Sequence, residues 1–307
     1  MKFLQFAALS AAAILMLNPG PAWACACGCG VFDVGGHTMV PNGAGYEVFV
    51  EYDDLDQTTN FDGAGRAPAA NNTDKEIKSN FLVVGGQVMI NQDWSLMGEI
   101  PVTNRAFRTT DPGAPKTFNA ASLGDIRLMA VYTGLSHDMS TGLIAGVRLP
   151  TGDFRAAGFS RDVEIGSGST GLLLGGYHSG SVGGNENWTY LVQALADLPV
   201  AGQDGYMPGD EVDASASITY SGWSSRDGKL RLEPLLQLIG SLRAADHGPA
   251  ADPDNTGYQR LLISPGVQLD AGNWKLYGDI EFPIAQYVRG NQLIAPEQFK
   301  LVLSRSF

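Results

Sequence analysis

The chain has 307 residues, a formal net charge of −12 at pH 7 and a sequence pI near 4.7, a balance that argues against nucleic acid as a partner. Hydrophobic residues make up 44% and charged residues 17%, yet after residue 24 no apolar run reaches the roughly 18 residues that a membrane helix requires, which excludes a helical membrane protein. Glycine is abundant at 39 residues, helical periodicity is hard to find, and apolar and polar residues alternate in segments of about ten, the pattern of an exported β-barrel.

At the N-terminus, Lys2 precedes the apolar run FLQFAALSAAAILML, and Ala22-Trp23-Ala24 fits the small-x-small rule of signal peptidase. Residues 1–24 therefore read as a removed secretory signal, with the mature chain starting at Cys25. A lipoprotein signal would also place a cysteine at the cleavage point, but it carries leucine where Ala22 stands and a small residue where Trp23 stands.

All 3 cysteines of the chain follow at once, in CACGCG. Cys25, Cys27 and Cys29 are too close for low-strain bridges between alternate positions, because a disulfide needs Cα atoms about 5.5 Å apart and a defined dihedral. With Ala26, Gly28 and Gly30 between and after them, the backbone can curl so that alternate thiolates converge on one ion. Two or three thiolates suit Cu(I), whereas Zn²⁺ would need a fourth donor such as His37 or the freed amine of Cys25. Disulfide exchange with a periplasmic redox partner and lipid attachment at Cys25 remain open beside metal binding. Residues 25–43 thus form a cysteine- and glycine-rich periplasmic segment ahead of a barrel over 44–307.

The clearest strands cover 45–54, 94–102, 124–134, 189–199, 210–220, 260–270 and 274–283, with weaker ones near 76–90, 138–150, 168–180, 228–241 and 295–307. The expected fold is all-β, a transmembrane antiparallel up-and-down barrel of about 12 strands in one domain. Short links at 91–93, 136–138 and 270–273, and somewhat longer ones near 180–187 and 221–227, alternate with long polar stretches near 55–74, 105–121, 151–167 and 242–257. Both termini then lie in the periplasm. Trp94, Trp188 and Trp274 each open a strand after a short link, as headgroup anchors would, and Pro101, Pro150, Pro199 and Pro283 are expected near the opposite strand ends.

The last strand places Phe299, Leu301, Leu303 and Phe307 on one face and Lys300, Ser304 and Ser306 on the other, with Arg305 departing from the rule. A terminal aromatic on such a strand is the address read by the outer-membrane assembly machinery. Alternation sends apolar positions to outer-membrane lipid and gives the lumen Glu47, Glu51, Glu99, Arg127, Arg148, Asp197, Asp213, Arg231, Glu233, Lys275, Asp279, Glu281 and Lys300. Of these, Glu99, Arg127, Arg148, Asp197, Arg231, Glu233, Asp279 and Glu281 are the pore-lining candidates.

The remaining motifs carry little chemistry. GSGSTG at 166–171 matches a dinucleotide fingerprint by letter, but lacks the following helix and reads as a loop entering a strand. A barrel hydrolase would need a histidine beside a serine, yet His37, His137, His178 and His247 fall at different levels, so no catalytic residues and no enzyme are expected. Asp246, Asp252 and Asp254 crowd one loop, with no glutamate at the distance that closes a calcium loop.

GVRLPTGDF (146–154), GSGSTGLLLGGYHSG (166–180) and the closing QYVRGNQLIAPEQFKLVLSRSF (286–307) resemble the transporter-like outer-membrane proteins grouped as putative phenol meta-pathway degradation proteins. The resemblance is best over the later strands. It implies an outer-membrane barrel that passes small aromatic or hydrophobic molecules, and the CxCxC segment departs from the family pattern. The sequence thus leads to a channel for small molecules with a periplasmic thiol motif that takes a soft metal. The alternatives are a barrel enzyme and a non-transporting anchor that presents the thiols.

Overall fold

A lipid-facing chain must pair every backbone N–H and C=O within itself, and with strands alone that requires a closed sheet. The computed structural model describes residues 45–111 and 113–307, and these form such a closure from twelve wall strands. They are β1 (Tyr46–Gln57), β2 (Asp74–Met89), β3 (Trp94–Thr109), β4 (Lys116–Leu123, resumed at Ile126–Tyr132), β5 (Thr141–Leu149) and β6 (Ser169–Val182). The second half comprises β7 (Asn185–Gly202), β8 (Glu211–Tyr220), β9 (Leu230–Arg243), β10 (Tyr258–Ala271), β11 (Trp274–Ile294) and β12 (Gln298–Ser306). Each pairs antiparallel with its sequence neighbours, and β12 also pairs with β1, with Val50 opposite Leu303. Phe307 N–H donates to Tyr46 O at 2.9 Å, so the seam is bonded to the last residue.

Both ends of the described chain lie at one rim, here the terminal end, where the turns are short. One of the two tightest is Gly183-Gly184, whose φ values of +60° and +78° suit the two-residue hairpin that joins right-twisted strands. The opposite rim, the loop end, carries 58–73, 110–115, 150–168, 203–210 and 244–257. A small hairpin, Thr59–Gly63 with Gly65–Arg66, extends the sheet there by pairing with the end of β11.

Alternation divides the two faces. Tyr46, Val48, Val50 and Tyr52 of β1, Trp94, Leu96, Ile100 and Val102 of β3, and Leu232, Leu236, Leu238 and Leu242 of β9 point outward and are exposed. Aliphatic residues continuous around a barrel can be covered only by hydrocarbon, and about nine residues per tilted strand suffice to cross it. Towards the loop end the exterior turns polar at Lys78, Asn104 and Arg108.

The terminal rim is an aromatic girdle. Tyr46 stacks on Phe307 at 4.7 Å, Trp94 meets Tyr132 at 4.9 Å, and Trp188 meets Tyr220 at 4.8 Å. Arg305, the exception on the apolar face of β12, lies over the rings of Trp274 and Phe307 at 5.0 and 4.5 Å, a placement that suits the headgroup layer. The prolines require a correction. Pro101 and Pro283 lie within strands, and they are accommodated at faults in the ladder instead of at strand ends. Pro101 faces the break between the two parts of β4, Pro283 adjoins the shift at Leu261/Leu262, and Pro199 adjoins another at Pro199/Ala201. A residue without an N–H is tolerated at such irregular positions.

Depth should govern the cost of charge on the exterior. Leu238→Arg, midway up β9, is expected to destabilise the barrel by about 2–4 kcal/mol, and Leu276→Arg, two residues from Trp274, by about 0–1 kcal/mol. Equilibrium unfolding in urea with lipid vesicles measures both, and equal costs would contradict the assignment of the lipid band.

Candidate functional site

The inward face of the wall is layered. In the terminal half of the barrel lies an apolar belt in which Phe49, Met97, Met129, Ile144, Leu173, Leu195, Leu235, Tyr277 and Val302 belong to one packed cluster drawn from nine wall strands. The ring of Phe49 lies over Gly85 of β2, where any β-carbon would collide with it at 2.1 Å. The sequence reading, which reserved apolar positions for lipid, missed this belt. The available signal was the run of strands apolar on both faces, such as GLLLGG in β6 and LLQLIG in β9.

Beyond the belt lies a layer of ionisable groups. Lys300 bridges Glu51 and Asp53 of the neighbouring strand at 3.0 and 3.4 Å, and Arg127 reaches Glu99, directly across β3 and β4, at 3.5 Å. Arg148 is the most connected, with its guanidinium 2.5 Å from Asp197 on β7, 3.0 Å from Asp125 and also donating to Ser167. Asp125 occupies the break in β4, where strand alternation gives no clue to it. On the far wall Asp279 accepts from Ser264 and Tyr277, both at 2.6 Å, and Asp213 accepts from Ser241. On the terminal side of the belt, Arg231 pairs with Glu233 at 3.3 Å, Glu233 accepts from Gln268 at 3.2 Å, and Glu47 accepts from Ser306 at 3.0 Å. Glu281 and Lys275 share the inward parity of β11.

The loop end is occupied by segment 150–168, which folds into the mouth. Val163, fully buried, packs with Ile77, Phe107 and Leu293 of the wall, and Phe118 and Phe159 join them. Arg105, on the inward face of β3 and 0% exposed, holds this loop. Its Nη1 donates to the carbonyls of Val163 at 2.9 Å and Glu164 at 2.7 Å, while Nε donates to Ser79 at 2.8 Å. The loop's far end is tied by Ser167 to Asp125 and Arg148. Gly152 and Gly166 approach so closely that a β-carbon on Gly166 would sit 2.3 Å from the backbone of Gly152. This explains the glycine at the start of GSGSTG, which is loop up to Ser169, the first residue of β6. Sequence reasoning took 151–167 for a surface loop because nothing local marks a loop that turns inward.

Above the docked loop a cavity of about 690 Å³ opens to the loop end, and its lining includes Phe107, Phe118 and Phe159 as well as Asp74, Asp162 and Asp252. Burial, reinforced by the charges of Asp74 and Asp246, pushes the Asp162 carboxyl up to about 7. Burial likewise pushes Glu164 up to about 7, against the lowering influence of the Ala156 amide and of Arg161 and Arg105. Among the other loop acids, Asp246 is structural: it accepts from Tyr206, the Gly209 amide and Arg243.

Cys25, Cys27, Cys29 and His37 lie outside the described residues. His178 faces outward between Thr141 and Tyr190, His137 sits in the 133–140 turn of the terminal end, and His247 lies in the 244–257 loop, so the structure does not bring these three together. Among the described residues no group of three or more His, Cys, Asp or Glu side chains is placed to hold a metal.

No model of a known protein family matches the sequence, and no curated protein matches it. Solved structures do share its fold. An outer-membrane channel from Pseudomonas putida F1 aligns with a TM-score of 0.66 at 13% identity, covering 90% of this chain and 100% of that one. The β-domain of the Bordetella autotransporter BrkA aligns with a TM-score of 0.55, also at 13% identity, covering 86% of this chain and 100% of that one. The chain thus has the fold of outer-membrane barrels.

Proposed function

We propose that the protein is an outer-membrane channel for small molecules with an apolar portion, entered past the 150–168 loop. The observation that carries this reading is the apolar belt on the inward face. A water-filled ion pore has a polar interior, and a barrel that served only as an anchor would have no use for an inward loop tied by a buried arginine. The ion-pair layer beyond the belt selects against bare ions, since a charged solute would have to displace existing partners. The resemblance to transporter-like proteins of phenol degradation agrees with this substrate class, and the fold shared with a Pseudomonas channel agrees with a channel.

The long loops face outward from the cell and the short turns face the periplasm, as in barrels of this kind. Residues 25–43 then emerge on the periplasmic side, and Phe307, held in the seam, is available to the assembly machinery. In that setting Cys25, Cys27 and Cys29, with His37, bind Cu(I), and a periplasmic thiol partner is the competing reading of the same residues.

Two outcomes test the conduit. Arg105→Ala removes two charge-assisted hydrogen bonds to the loop, each contributing about 1.5–3 kcal/mol, so permeation of small phenols into proteoliposomes should rise on the order of a hundredfold or more. Permeation no different from protein-free vesicles in both proteins would favour the anchor. Because docking raises the pKa values of Asp162 and Glu164, the docked loop takes up protons that the released loop does not. Docking therefore weakens as pH rises from about 4, and the loss is complete above about 7. Wild-type permeation should climb across that window, and Asp162→Asn with Glu164→Gln should flatten the profile. A profile unchanged by the double substitution would dissociate these carboxyls from loop docking.

For the thiols, replacing Cys27 and Cys29 by serine should lower Cu(I) retention against a weak chelator while leaving heat-modifiable migration, the mark of a folded barrel, intact. Mixed disulfides trapped on non-reducing gels, with retention unchanged, would assign the cysteines to redox exchange.

A further inference from the structure

The turns of the terminal end enclose a cavity of about 680 Å³, between 89–93 and 134–139. Its wall includes three side chains with soft or borderline donor atoms: the thioethers of Met89 and Met139 and the imidazole of His137. Gly45 belongs to the same wall, so the segment that carries the cysteines joins the barrel at this cavity. The roughly 15 residues between Cys29 and Gly45 can extend up to about 50 Å, ample to return the thiolates to its mouth.

Two further features set these donors apart from ordinary turn residues. Met139 adopts φ of +56°, a conformation that glycine or asparagine fills at lower cost, and its backbone is held there by Tyr177, whose hydroxyl donates to Met139 O at 2.9 Å. Backbone strain retained at a methionine has a reason if the thioether itself is needed at that place. Four of the five methionines among the described residues also fall in one sector of the barrel. Above Met89 and Met139, Met97 and Met129 oppose each other across β3 and β4 on the inward face, within the apolar belt.

We propose that Met89, His137 and Met139 form a Cu(I) site at the terminal mouth of the barrel, which exchanges the ion with the thiolates of Cys25, Cys27 and Cys29. Thioether and imidazole are donors that Cu(I) favours over the oxygen ligands of harder cations, and Met97 and Met129 continue the thioether line into the lumen. The transfer is ligand exchange alone: copper stays monovalent, and a proton returns to each thiolate that releases it. A cavity with the volume of about 20 waters leaves room for the delivering segment beside the ion. The site rests on the channel reading above for its orientation, but its own donors do not include a cysteine.

Cu(I) titration of the full-length protein in detergent, against a weak competing chelator, separates the two sites. The wild type is expected to retain two equivalents and the Cys25→Ser, Cys27→Ser, Cys29→Ser variant one, with X-ray absorption of the latter showing mixed sulfur and nitrogen neighbours. Adding Met89→Leu, His137→Ala and Met139→Leu should remove that remaining equivalent, and heat-modifiable migration verifies that each variant is folded. A cysteine-free protein that retains no Cu(I) would overturn the site while leaving the thiol reading intact. One equivalent retained equally with and without the cysteines, and lost with the methionines, would sustain the site and overturn the exchange with the thiols. Retention unaffected by the three cavity substitutions would also overturn it.

Discussion

The structure depends on the seam between β1 and β12. In hydrocarbon an unpaired N–H or C=O costs several kcal/mol, so a sheet of twelve strands joined by eleven pairings, with two open edges, is not a stable solution, and only closure removes both edges at once. The seam joins residues more than two hundred positions apart, Tyr46 to Phe307 and Val50 to Leu303, so it forms only when all the intervening hairpins are in register. The same demand explains where three of the strand prolines are admitted. Pro101, Pro199 and Pro283 adjoin shifts or breaks in the ladder, where a missing donor leaves fewer acceptors unpaired.

Closure leaves the inner face free of the demands of lipid. On the exterior a charge is costly and position decides by how much, whereas inside, apolar and ionic residues can follow each other along one strand. β3 shows the sequence of environments in a single segment: Met97 in the belt, Glu99 paired with Arg127, then Arg105 tied to the loop and Phe107 packed beneath it. A solute crossing the barrel would meet aromatic and carboxylate groups in the mouth, a docked loop, an ion-pair layer and an apolar belt. Under the proposed function that order would suit a molecule with one apolar part and few hydrogen-bonding groups, and the protein's own salt bridges would be the barrier to ions.

Much of the wall was legible in the sequence, because period-two alternation and turn chemistry are local signals. All twelve strands were located from them, and β9 or β12 can be read by eye. The strand ends at the loop rim ran longer than expected: β3 continues to Thr109 and β4 begins at Lys116, since polar residues above the lipid band extend a ladder without alternating. The belt was hidden because an apolar residue looks the same whichever face it occupies, so Phe49 and Met97 could not be told from lipid-facing neighbours without the register. Arg105 and Asp125 were hidden for another reason. Their partners lie in a loop some 20 to 60 positions away in sequence, and the inward turn of 150–168 is decided by tertiary packing of Val163 against Ile77, Phe107 and Leu293.

The central claim is that the 150–168 loop controls a path through this barrel. It is tested most directly by locking that loop to the wall. Phe159 of the loop and Phe107 of β3 have ring centroids 5.6 Å apart, so Phe159→Cys and Phe107→Cys, in a chain whose three native cysteines are serine, are within reach of a short bifunctional thiol reagent. The account predicts that small phenols permeate into proteoliposomes before cross-linking with a cleavable reagent, are held out after it, and permeate again when the link is cut. Permeation that is the same in the linked and the released state would contradict it.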